Sequence, residues 1–231
     1  MLYGIKIVNI IYKIAEGKFI NMNSNYKVKQ ITSLYKSCNQ CGLPIINCIC
    51  TSYPKIETEA KLWILSTEKE FYRPSNTARL LKLVNPASTE IFLWERTKNP
   101  EALLKNFQNG IYDKYLLFPV DAEKTISRRV EFKKSGKIPA FIIIDGTWKE
   151  AQNIFRKSDY LRNLPLLSLE PNYVSSYDLR NGAAEGNLCT IETGIEVLKL
   201  NGEIKNLEIV KDLYDLFLKS YRAGKSGHKV K

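Results

Sequence analysis

The chain has 231 residues, 44% of them hydrophobic, with 35 Lys and Arg against 24 Asp and Glu, a net charge of +11 and a pI near 9.3. That apolar content suffices for a full core, and the basic balance favours a phosphate-rich partner, RNA before acidic protein. No run of about 18 apolar residues occurs, which excludes a membrane-spanning helix.

Residues 1–30 read as an N-terminal extension with no assigned role, in which Met22 is a second candidate start. Lysines interrupt its apolar stretches and no small-residue cleavage site follows, so a cytoplasmic, reducing setting is expected. Residues 31–55 contain "CNQCGLPIINCIC", which places Cys38, Cys41, Cys48 and Cys50 in a Cys-x2-Cys-x6-Cys-x-Cys pattern. Four thiolates within so short a span can wrap a tetrahedral ion, and Gly42 and Pro44 supply the turn that returns the second pair. A structural zinc knuckle is the expectation; an iron–sulfur cluster and disulfides are the alternatives.

From residue 56 to 222 apolar strand-like runs alternate with helical ones: "KLWIL", "NTARLLKLV", "EIFLW", "PEALLKNF", "YLLFP", "DAEKTISRRVEF", "AFIIID" and "WKEAQNIF". This order predicts an α/β fold, a mostly parallel open sheet with helices on both faces. Apolar residues at Leu207, Val210, Leu213, Leu216 and Phe217 predict a C-terminal amphipathic helix packed on the body. Residues 223–231 form a basic tail, expected to be loose. A second basic run lies at "KTISRRVEFKKSGK", where Lys124, Arg128, Arg129, Lys133, Lys134 and Lys137 are candidate RNA phosphate contacts.

Within "FIIIDGTWKEAQNIF" the strand ends at Asp145, where the carboxyl edge of a parallel sheet binds ligands. Thr147 with Glu150 three residues on has the capping-box pattern, and Gly146 permits the turn before it. Capping does not explain an acid followed by Trp148, a proton acceptor beside an aromatic surface. A strand-ending Asp and a packing Trp are the structural alternative.

Taken together, "EFYRPSNTARLL", "LLFP", "DGTW", "YDLR" and "CTIETGIEVL", in that order behind a cysteine knuckle, resemble the DTW-domain family over roughly Cys38 to Leu198. The resemblance implies a SPOUT-like fold with a C-terminal knot. It also implies a tRNA-uridine aminocarboxypropyltransferase that uses S-adenosylmethionine as donor to modify N3 of a variable-loop uridine, releasing methylthioadenosine. A methyltransferase with the same donor, and a zinc-containing RNA-binding module without chemistry, are the competing readings. The partner is tRNA, with the monomer as the simplest oligomeric expectation.

On this resemblance Asp145 is the candidate base or orienting acceptor for uridine N3, and Trp148 a wall of the donor site beside Thr147. Asn76 and Thr77 open a helix that offers donor contacts, and Arg73 and Arg180 offer cations for a carboxylate or phosphate. Tyr177, Thr190 and Glu192 complete the candidate substrate site; a buried, bonded ring is expected for Tyr177 and helix capping for Thr190 and Glu192. The chain departs from the family pattern in two places. It reads "LSTEKE" where a His is usual, its only His being His228, and it has Cys189 for the Ser of the "ST.E" motif.

Overall fold

A computed structural model describes residues 26–120, 123–169, 175–177, 179 and 188–230. Five strands, β1 (Lys61–Thr67), β2 (Thr89–Trp94), β3 (Tyr112–Leu117), β4 (Ile138–Asp145) and β5 (Leu166–Leu167), form one sheet of order β2-β1-β4-β3-β5, every pair parallel. The helices are α1 (Glu68–Tyr72), α2 (Ala78–Val84), α3 (Glu101–Gln108), α4 (Trp148–Lys157), α5 (Thr190–Leu200) and α6 (Ile204–Lys225).

The central strands are apolar at every step because both faces are covered. Leu62, Ile64, Phe141 and Ile143 point to one face, against Leu80 and Leu81 of α2, Ile195 of α5 and Phe217 of α6. Their alternates Trp63, Leu65, Ala140 and Ile142 point to the other, against Leu103 of α3 and Ile154 of α4. The period-2 alternation of a strand thus divides one apolar run between two cores.

Two segments differ from expectation. "DAEKTISRRVEF" does not form a helix among its described residues: it makes one 3-10 turn at Ile126–Arg128, then runs extended, with Val130 N donating to Leu166 O at 3.0 Å. That pairing and the Arg128 side chain hold the segment beside β5, and tertiary bonds override local helix preference. The short β5 itself was not legible, because two residues are too few to show a period. The basic tail is tied down as far as Val230, whose N–H donates to Asn47 Oδ1 at 3.0 Å, while Asn47 Nδ2 donates to His228 O at 2.8 Å. A C-terminal knot would involve the chain between β5 and α5, most of which lies outside the described residues, as do residues 1–25. No described helix is long and apolar enough to cross a membrane.

Candidate functional site

β1 and β4 are neighbours, yet the chain leaving β1 reaches α2 on one face and the chain leaving β4 reaches α4 on the other. Such a reversal opens a crevice at the carboxyl ends of the two strands. Ser66 and Asp145 sit opposite each other in register at that edge.

Asp145 is 2% exposed and collects three side-chain donors. Ser66 Oγ and Asn76 Nδ2 donate to Oδ2 at 2.6 and 2.7 Å, and Thr190 Oγ1 donates to Oδ1 at 2.6 Å. An ionised carboxylate has about four acceptor positions, so roughly one stays open, on Oδ1. Asn76 also donates to Glu70 Oε2 at 3.0 Å, which places a second buried carboxylate behind the first. Glu70 is bonded by Arg73, whose guanidinium also lies 3.5 Å from Glu150.

The remaining expected residues divide by what holds them. Thr77 is buried and accepts from Ile191 N at 3.2 Å, locking the start of α2 to α5. Glu192 accepts from Cys189 N at 2.8 Å, the capping half-bond of α5, and from Ser175 Oγ and Ser176 N at 2.6 and 2.8 Å. Tyr177 is buried with its hydroxyl donating to Ser75 O at 2.8 Å. Burial pushes the Cys189 thiol up to about 12, which makes it a neutral filler at the head of α5. Arg180 lies outside the described residues.

After Asp145 the turn at Gly146 delivers Thr147 as the N-cap of α4, with the reciprocal capping box to Glu150 formed. Burial would raise the Glu150 carboxyl, but the Thr147 N–H and hydroxyl and the Arg73 and Lys69 charges together hold it below the ordinary range. Trp148 is 43% exposed and stacks on Phe118 at 5.4 Å.

The four knuckle cysteines form no disulfide and converge, with Sγ atoms of Cys38 and Cys50 3.6 Å apart, those of Cys41 and Cys48 3.9 Å apart, and all four within 4.8 Å. Four thiolates about 2.3 Å from a tetrahedral zinc lie about 3.8 Å from one another, so the donor set fits that ion. Hydrogen bonds from Cys41 and Cys50 lower the Cys38 thiol, whereas Cys41 is pushed up to about 12 by the shared bond with Cys38. Metal binding would displace the remaining protons.

The knuckle is not a free appendage. Cys41, Leu43 and Ile49 belong to the core cluster under α6. Gly42, at φ +83°, lies so close to Pro74 that an added Cβ would sit 2.5 Å from its carbonyl oxygen. Arg79, 2% exposed, donates to Asn39 O and Gln40 O of the knuckle at 3.2 and 3.4 Å, and to Phe71 O and Arg73 O of the site segment at 3.1 and 3.2 Å. Burial lowers the pKa of this guanidinium, and the Cys41 and Asp145 charges act against that fall. Sequence reading missed Ser66, Glu70 and Arg79 as site residues; Glu70 and Arg79 lie within the "EFYRPSNTARLL" motif, the signal that could have found them, while nothing local marks Ser66.

The basic run at 124–137 is partly committed to structure. Arg128 donates to Leu164 O at 3.0 Å through Nε and to Leu161 O at 2.6 Å through a terminal nitrogen, and burial lowers its pKa. Lys134 pairs with Glu59 at 3.0 Å and Lys137 with Asp113 at 3.9 Å. Lys124, Arg129 and Lys133 are exposed.

A family model described as the DTW domain matches residues 35–222, which takes in the knuckle, the crevice and most of α6. The chain is 27% identical over 166 residues to the Drosophila melanogaster tRNA-uridine aminocarboxypropyltransferase 2; the match covers 70% of this chain and 64% of the length of that relative. No solved structure matches the chain.

Proposed function

Because the chain belongs to the DTW-domain family, we propose that it transfers the 3-amino-3-carboxypropyl group of S-adenosylmethionine to N3 of a tRNA variable-loop uridine. The observation that carries this reading is the buried Asp145 carboxylate at the switch-point crevice, with one acceptor position left by Ser66, Asn76 and Thr190. Uridine N3 is a weak nucleophile that must lose its proton, and Oδ1 of Asp145 is the acceptor for it. N3 then attacks the terminal carbon of the aminocarboxypropyl chain. The carbon–sulfur bond breaks, its electron pair returns to sulfur, and neutral methylthioadenosine leaves.

Donor binding is assigned to the α2 and α5 side of the crevice. Thr67 Oγ1, at the carboxyl end of β1, is buried with no hydrogen-bond partner among the described residues; it alternates with Ser66 toward the α3 and α4 side, and supports a bound polar group at that edge of the crevice. Arg73, paired with Glu70 and Glu150, offers a cation for the donor carboxylate, and the Glu150 carboxylate offers an acceptor for its ammonium. Asn76, Thr77, Thr190 and Glu192 act as the frame that positions these groups. Zinc in the knuckle has a structural role, since all four positions are thiolate and none is left for substrate. The parallel order β2-β1-β4-β3-β5 supports a SPOUT-like topology, and a C-terminal knot belongs to that proposal. A cytoplasmic setting accords with unbridged thiols.

The test is product analysis with tRNA and labelled donor. Methylthioadenosine with aminocarboxypropyl-uridine is the expected outcome. S-adenosylhomocysteine would establish methyl transfer instead, and an unconsumed donor would reduce the protein to an RNA-binding module.

A further inference from the structure

α4 carries Trp148 and Phe155 two turns apart, and Phe118, just past the end of β3, enters between them. Phe118 stacks on Phe155 at 4.2 Å and 1°, and on Trp148 at 5.4 Å and 15°. Behind Phe155 the Arg128 guanidinium lies 5.4 Å from the ring centroid, itself fixed by the Leu161 and Leu164 carbonyls. The run therefore has an anchored end and an open end. Among the described residues Trp148 is the one aromatic in the exposed large apolar set, at 43%, and its indole N–H has no protein partner there.

A tryptophan placed only for packing would turn its ring inward with Ala151 and Ile154, the buried face of α4. Here the ring is instead supported from behind and presented to solvent, three residues from Asp145. The polar frame around Asp145 comes from β1, the loop that leads into α2, and α5, while the ring run comes from the end of β3 and from α4, on the opposite side of the sheet. Two reactants that meet at Asp145 would approach from these two sides. The same helix exposes Lys149, next to Trp148 in sequence, and Arg156 and Lys157 in its last turn, all of positive charge.

We infer that the outer face of Trp148 is the stacking platform for the acceptor base: an unpaired uracil-type ring of RNA, held flat against a pre-stacked aromatic run at the head of a helix that exposes basic side chains. The identity of that base rests on the transfer reading above; the platform itself does not. An aromatic surface is well suited to a base taken out of its helix. A ring already immobilised by Phe118 loses little further freedom on binding.

The experiment measures binding of an RNA stem-loop with loop uridines, and of the same stem-loop with abasic nucleotides at those positions, to wild type, Trp148→Ala and Trp148→Phe. Binding of S-adenosylmethionine alone is measured on each protein, with circular dichroism confirming the fold. Stacking predicts that wild type prefers the uridine loop by about tenfold or more. That preference should collapse in Trp148→Ala, survive largely in Trp148→Phe, and leave donor affinity unchanged. Donor affinity that falls in Trp148→Ala while the uridine preference persists would overturn the inference and assign the ring to the donor's adenine. An equal loss for both RNAs would also overturn it, as a charge or folding effect. Wild-type protein that shows the Trp148-dependent preference but consumes no donor would leave the platform standing and sink the transfer reaction.

Discussion

The side-chain amide of Asn76 donates to Asp145 Oδ2 at 2.7 Å across 69 positions of sequence. The same nitrogen reaches Glu70 Oε2, so one amide spans two buried carboxylates and fixes the loop after β1 against the end of β4. Asp145 therefore orients its neighbours as well as offering them a charge. Both roles are open to mutation.

Asp145→Asn keeps the shape but sets an amide where donors already point, from Ser66 and Asn76 on one side or Thr190 on the other. The folded variant should be less stable by about 1–3 kcal/mol, the cost of an unmatched buried polar group. Transfer rate should fall about 10²–10⁴-fold, the scale of general-base removal, with donor and tRNA still bound. Near-wild-type turnover at saturating donor would make Asp145 structural.

Purified protein should contain one zinc per chain. Chelation should loosen residues 71–76 along with the knuckle, because Arg79 and the Gly42–Pro74 contact join the two. Hydrogen exchange reads this directly: protection at Arg73 and Asn76 N–H should drop on metal removal. Gly42→Ala should mimic the effect, since it needs a positive φ and meets the Pro74 carbonyl. Unchanged exchange over 71–76 after zinc loss would separate the knuckle from the site.

Arg128 and Lys133 should report different physics. Arg128→Met removes hydrogen bonds to two backbone carbonyls and should lower the melting temperature by several degrees. Lys133→Glu should leave the melting temperature alone, weaken tRNA binding and flatten its salt dependence by about one counterion. If Lys133→Glu binds tRNA as wild type does at every salt concentration, the RNA path lies away from this run.

Glu150 sets an acid limit on the head of α4. Its folded-state carboxyl lies below the ordinary glutamate range, despite a burial effect that acts the other way. A depressed acid contributes stability that is fully present above the unfolded value, about 4.3, and is lost as pH falls through the folded value. Wild type should therefore lose stability relative to Glu150→Gln as pH drops below about 4.3, with the gap constant above it. Parallel denaturation curves for the two proteins down to the acid limit would show that the capping carboxylate is not linked to folding.

The knuckle, the strand-helix alternation and the DGTW turn were legible in the sequence because each is closed within a few residues. Cys38 to Cys50 wrap one another locally, strands buried on both faces must be continuously apolar, and Thr147 with Glu150 caps its own helix. Tertiary structure alone brought Ser66, Asn76 and Thr190 to Asp145, from 79, 69 and 45 positions away. It also tied the Arg128 guanidinium to the Leu161 and Leu164 carbonyls and lined up Phe118 between Trp148 and Phe155. Strand order and register, set by which apolar faces can be buried together, decide such meetings, and no local pattern of residue types encodes them.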